Sequence, residues 1–327
     1  VLALFRNNNP FTVIILLILA ILLKLKMLLH PQLAPAYPPD FFFNFITYLL
    51  NAVFHKNAAA FTFFTVLLIF LQAIYFNFIC NRRKLFTRST YIPAFAYLLL
   101  SSVYAGWNFF TPALLINWCV LGAFDIILTL SQSNHPRKHI FNAGFLLAMP
   151  ALLHFSALLF IFILIVSLLM LRSFHLAEWV VALLGFLTPF YFLVSILYLA
   201  DYLSLLPNWI HLAAAKNAYF SLNANIILLI IGFLVIISCG LYATNVQMPK
   251  SSIYNRRNWG VIVISFIITL MVAFLSGFTI PGAWFMLIPF ISFLTAMALN
   301  NEKTKGFSNF VFYFTLLFII FSQLAIN

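Results

Sequence analysis

Residues 58–90 read AAAFTFFTVLLIFLQAIYFNFICNRRKLFTRST. Up to Cys80 this is one apolar run. It is long enough to cross the roughly 30 Å hydrocarbon core of a bilayer, which takes about 20 helical residues. Arg82, Arg83, Lys84 and Arg88 follow at once, as basic residues do where a helix emerges on the cytoplasmic side. This pairing of an apolar run with a basic loop is the unit from which the chain is built. Of its 327 residues, 65% are hydrophobic and 7% charged. A soluble domain has about 45–50% and about 25%. Too little polar surface remains to cover a globule, so lipid must cover it.

Lys and Arg total 17 and Asp and Glu 5, a net charge of +12. The cations lie in short clusters between apolar runs. That pattern is membrane topology and not a nucleic-acid-binding surface. Cys80, Cys119 and Cys239 are too few and too scattered for a disulfide framework or a metal site. No His, Asp and Glu set has metal-ligand spacing.

Working outward from residues 58–80, ten more runs are long or apolar enough to propose as spans. They cover 11–29, 91–105, 112–131, 140–154, 155–171, 179–200, 224–244, 259–278, 283–299 and 310–326. The first has no small-residue cleavage site after it and reads as a signal anchor. Basic residues fall in every second loop: Arg82 to Arg88, Arg137 and Lys138, Arg172, then Lys250 to Arg257, then Lys303 and Lys305. The expectation is an all-α polytopic bundle of about eleven transmembrane helices, a single integral membrane domain with its N-terminus inside and its C-terminus outside. Pro150 leaves a second option, in which 140–171 is one kinked helix. That option would put Arg137 and Arg172 on opposite sides, so two helices broken at His154 are preferred.

Runs 91–105 and 140–154 are short. Fifteen residues reach about 22 Å, less than the hydrocarbon thickness. The hairpin tips, Gly106-Trp107-Asn108 and His154-Phe155-Ser156, are therefore expected below the outer surface, around a depression that a ligand would fill. Two longer outer loops, 30–57 and 201–223, carry aromatic segments suited to the interface. The clearer is the run Phe41–Phe54, FFFNFITYLLNAVF, after a proline-rich stretch. Glycine is scarce, 10 residues against 41 Phe, which favours a static scaffold over helices that slide past one another.

Ionisable groups within a membrane are costly and are the first functional candidates. Asp125 lies in the fourth run. It is either a proton or cation site, or a structural carboxylate paired with Arg137, Lys138, His139 or Arg172. Lys24 and Lys26 lie in the outer third of the first run. They either snorkel to the outer headgroups or join His30, His55, Lys56, His154, His211 and Lys216 in a basic outer site for a lipid phosphate or diphosphate. In that site Lys24, Lys26, His55 and Lys56 bind phosphate, and Asp40 and His154 are the catalytic candidates. Asp40 is otherwise a helix N-cap, and His154 a tip residue bonded to a backbone carbonyl. Asp201 reads as a helix-end residue. Glu178 reads as a partner of a helix N-terminus.

The stretch HIFNAGFLLAMPALLHFSALLFIFILIVSLLMLRSFHLAEWVVALLGFLTPFYF at 139–192, with NRRKLFTRSTYIPAFAYLLLSSVYAGW at 81–107, resembles an uncharacterised family of bacterial polytopic inner-membrane proteins. That resemblance implies a location and no activity. The arrangement of Asp40, the run Phe41–Phe54 and two short hairpins is similar in architecture to the C-type membrane glycosyltransferases. It implies a polyprenyl-phosphate lipid as the bound group and a lipid-linked saccharide as substrate. The chain departs from that pattern in having no second acidic residue near Asp40 and no sizeable outer domain. Three functions are therefore open. One is a non-catalytic subunit of a secretion, motility or polysaccharide-export assembly, with membrane lipids and other membrane subunits as partners. The second is a protein handling a lipid-linked saccharide. The third is a transporter or flippase built on Asp125.

Overall fold

A computed structural model describes residues 2–7, 9–31, 41–133, 135–206, 224–276, 281–301 and 305–325. Among these residues the protein is all-helical, with fourteen α-helices. They are α1 (Leu2–Arg6), α2 (Thr12–Leu23), α3 (Leu25–Leu29), α4 (Phe41–Phe54), α5 (Ala58–Arg82), α6 (Ile92–Leu100) and α7 (Pro112–Ile127). Then come α8 (Pro136–Leu153), α9 (Ile161–Leu171), α10 (Leu176–Leu199), α11 (Ala224–Gln247), α12 (Ile253–Leu275), α13 (Ile288–Leu299) and α14 (Lys305–Ala325). The chain is a polytopic helical membrane protein.

Among the described residues, seven helical stretches, not eleven, are long and apolar enough to cross a bilayer. They are Ala58–Arg82, Pro112–Gln132, Leu176–Leu199, Ile227–Lys250, Ile253–Leu275, Gly282–Leu299 and Lys305–Leu324. The other four expected spans fall short for local reasons. The first breaks at Lys24, which leaves twelve residues in α2 and five in α3. The third stops after nine residues, because Ser101 and Ser102 turn back and donate their hydroxyls to Leu98 O at 3.0 and 2.9 Å. The fifth opens on the polar Pro136-Arg137-Lys138-His139. The sixth begins as a 3-10 turn, Phe155–Phe160, before α9. The stretch 140–171 is thus two helices. His154 is extended (φ −155°, ψ 118°) and caps α8 by donating its N–H to Pro150 O. Pro150 sits within α8 and does not separate the two.

The core lies around α13 and the 3-10 turn that leads into it. Residues 282–299 are 94% buried, whereas the spans in α10 and α11 are 33% and 28% buried. The first is therefore the central post, and the other two are peripheral helices whose outer faces meet lipid. Close packing needs small residues at the crossings. On α11, a Cβ at Gly240 would lie 2.8 Å from the Leu294 carbonyl of α13. Where α8 crosses α10, Gly144 and Gly185 admit each other's backbones.

The segments carrying the basic loops gather at one end of the bundle. Arg6 donates to Leu299 O at 2.8 Å, and Tyr91 N to Phe5 O at 2.8 Å. From the start of α12, Tyr254 reaches Leu128 O (2.5 Å), Asn255 Lys84 O (2.9 Å) and Trp259 Leu85 O (3.1 Å). Gln247 reaches Met297 O at 3.2 Å. Arg172 pairs with Glu178 at 2.7 Å, so Glu178 spends its charge on a side chain as well as on its helix start. The hydrogen bonds it donates to Glu178 hold the Arg172 guanidinium above its ordinary range, despite some desolvation. A raised basic group contributes fully below its unfolded pKa, so this pair's contribution is constant across physiological pH.

Candidate functional site

The opposite ends of the short helices form the candidate site. After α6 the chain turns through Ser101–Val103 into a 3-10 segment, Ala105–Asn108, and Thr111 then starts α7. Thr111 Oγ1 accepts the Leu114 N–H at 3.3 Å, and Pro112 at the first helical position needs no partner for its nitrogen. Trp107 and Asn108 are buried. The Trp107 ring meets Phe285 edge-on at 6.0 Å and Phe233 at 5.9 Å. The tip is therefore wedged between α11 and the 3-10 turn Pro281–Leu287.

A hydrogen-bond chain fixes the tip from below. Gln72 on α5 donates to Leu114 O at 2.6 Å and accepts from the Tyr97 hydroxyl at 2.9 Å. Asn117 on α7 donates to Phe285 O at 3.0 Å. All three side chains are fully buried. Each ties a different pair of segments together, where an unpaired amide in lipid would cost several kcal/mol (about 2–7).

Lys24 is buried, at 1% exposure, and does not snorkel. Its Nζ donates to Ser101 O at 3.3 Å and to Asn108 Oδ1. Lys26 is exposed, as are His55 and Lys56. The last two form a left-handed turn (φ 50° and 58°) between α4 and the Asn57 cap of α5. Lys24 is thus set apart from the exposed cations by its burial. His154 is half-buried at the second tip. Asp40, His211 and Lys216 lie outside the described residues.

α4 has three stripes. Phe43, Ile46 and Leu50 face the protein, and Phe43 stacks on Phe110 of the first tip at 5.6 Å. Phe45, Tyr48, Leu49 and Val53 are exposed. Asn44, Thr47 and Asn51 form a polar stripe between them. This is the helix expected from the run Phe41–Phe54, with the same bounds, and it leans on the hairpin tip.

Asp125 lies at the other end of the bundle. It is paired with Arg83 at 2.5 Å and Arg82 at 3.3 Å, from the end of α5. None of the four partners expected from the sequence holds it. Tyr75 stacks on Trp118 at 5.8 Å one turn or two above the pair. No group of three His, Cys, Asp or Glu side chains converges among the described residues. The residues that build the tip and that charge logic passed over are uncharged: Gln72, Tyr97, Ser101, Asn108, Asn117 and Gln323. An amide inside an apolar run is the signal that would have found three of them.

No protein-family model, curated protein or solved structure matches this chain.

Proposed function

We propose that the protein is a non-catalytic subunit of a larger envelope assembly, of the kind that serves secretion, motility or polysaccharide export. It would sit in a bacterial inner membrane with its N-terminus inside and its C-terminus outside. One observation carries the reading. Among the described residues, the buried and half-buried Asp, Glu, Lys and Arg side chains are engaged within the chain itself: Lys24 on the hairpin tip, Asp125 on Arg82 and Arg83, Glu178 on Arg172, and Arg6 on Leu299 O. Charges used in this way build a rigid frame. The gathering of the basic loops at one end supports the orientation. Purification from native membranes in mild detergent, with mass spectrometry of the intact particle, is expected to retain at least one other membrane protein in fixed ratio. A lone monomer carrying only bulk lipid would overturn the proposal.

A second reading has its own support. Helix α2 advances about 18 Å before Lys24, and Lys24 contacts the tip of the α6–α7 hairpin. If α2 starts at the inner boundary of a hydrocarbon core of roughly 30 Å, the tip would lie roughly 10 Å short of the far side. α4 stacks over the same tip. A depression above such a tip would suit a polyprenyl-phosphate-linked saccharide, with Lys26, His55 and Lys56 near the phosphate and Asp40 and His154 near the sugar. On this reading, Asp40→Asn abolishes activity at unchanged expression and a polyprenyl phosphate co-purifies. Full activity in Asp40→Asn would remove it.

A further inference from the structure

Two helix ends meet at Lys24. α2 ends there and α3 begins, since the Lys24 N–H closes a short turn onto Ile21 O and the Leu23 carbonyl is left to find a donor. α6 ends nearby, and the Ser101 and Ser102 carbonyls lie past its last turn. Helix C-termini carry orphan carbonyls and about half a negative charge. Four oxygens, those of Leu23, Ser101, Ser102 and the Asn108 side chain, thus meet two side-chain donors. Lys24 Nζ takes Ser101 O and Asn108 Oδ1. Gln323 Nε2 on α14 takes Leu23 O at 3.4 Å and Ser102 O at 3.3 Å. Neither Ser101 nor Lys24 has meaningful exposure, and no carboxylate of the described residues takes part. In membrane proteins, carbonyls freed at broken helices are the usual ligands of a monovalent cation.

We propose that this junction is a cation site occupied by the protein's own ammonium group. Lys24 is a tethered cation that locks the α2–α3 junction to the hairpin tip. Truncating its stem exposes a site that takes a primary alkylammonium ion from solution. The assignment does not depend on whether the protein is a subunit or an enzyme. It concerns how the outer tip is held.

The test is the melting temperature of the full chain in detergent, for Lys24→Ala and Lys24→Met. Each is measured in n-propylammonium chloride and in tetramethylammonium chloride at equal ionic strength. Lys24→Ala is expected to melt about 5 °C below the parent, from the loss of one charged hydrogen-bonding group. Propylammonium should restore at least half of that. Tetramethylammonium has no N–H and should restore none. Lys24→Met fills the space with thioether and should respond to neither salt. An unchanged melting temperature in Lys24→Ala, or equal rescue by both salts, overturns the proposal. Asn108→Ala, made in the Lys24→Ala background, provides a second test. It removes one of the cation's oxygens and should weaken the propylammonium rescue. An undiminished rescue would also overturn the proposal.

Discussion

Gly185→Leu is expected to yield no folded protein, and Gly185→Ala a clearly less stable one. A Cβ at Gly185 would overlap the Phe141 carbonyl oxygen and lie 3.0 Å from Phe141 Cα. These are backbone atoms of α8, and a side-chain rotation cannot move them away. On the other helix, a Cβ at Gly144 would lie 2.9 Å from Ala182 O and 3.1 Å from Phe186 N. α8 and α10 therefore touch backbone to backbone, and a single methyl forces them apart along the whole crossing. Overpacking by one methyl or methylene costs about 1–3 kcal/mol. Leucine adds three more carbons to a place that holds none. Gly306→Ala is the control, because nothing lies within 4 Å of the position its Cβ would take. The measurement is the fraction of monodisperse protein in gel filtration and its melting temperature. Gly185→Ala behaving like Gly306→Ala would show that the crossing is looser than the structure has it.

That crossing also shows where reading the sequence succeeds and where it stops. Scarce glycine suggested a static bundle, and several of the glycines present stand at helix crossings. The run at 58–80, the break at His154 and the helix at Phe41–Phe54 were all legible, because each depends on local chain chemistry: an apolar length, a change of polarity, an aromatic stripe. The tip at Gly106-Trp107-Asn108 was legible for the same reason, and it is the 3-10 turn Ala105–Asn108. The span count was not legible. Hydropathy registers an apolar residue equally whether it continues a helix or turns a 3-10 corner, so 91–105, though short, and 155–171 passed for spans. The direction of Lys24 was hidden as well. A lysine near a helix end ordinarily reaches for water, and nothing in LAILLKLKMLL tells that its acceptors lie on Ser101 and Asn108, 77 and 84 residues away.

Asp125→Ala is expected to destabilise the protein by about 2–4 kcal/mol. Breaking a buried ion pair costs about 3–5 kcal/mol, and the figure here is reduced because one partner is open to solvent. The Arg83 and Asp125 side chains are 12% and 15% exposed, while Arg82 is 53% exposed. The two arms of the pair should therefore differ. Arg82→Ala should cost about 0.5 kcal/mol or less, as exposed pairs do. Arg83→Ala should cost nearly as much as Asp125→Ala. The double variant Asp125→Ala/Arg83→Ala should cost much less than the sum, because neither charge is then left alone. Thermal midpoints in mixed micelles give all four values. The same cycle bears on the transporter reading. A carboxylate that carries a proton or cation through a cycle must be able to leave its counter-charge, and two guanidinium groups on one helix end make that costly. Strong coupling between Asp125 and Arg83 would mark the carboxylate as a rivet between α5 and α7. Additive costs, or a neutral Asp125→Ala, would show that the pair does not hold these helices together and would return Asp125 to the candidates for ion coupling.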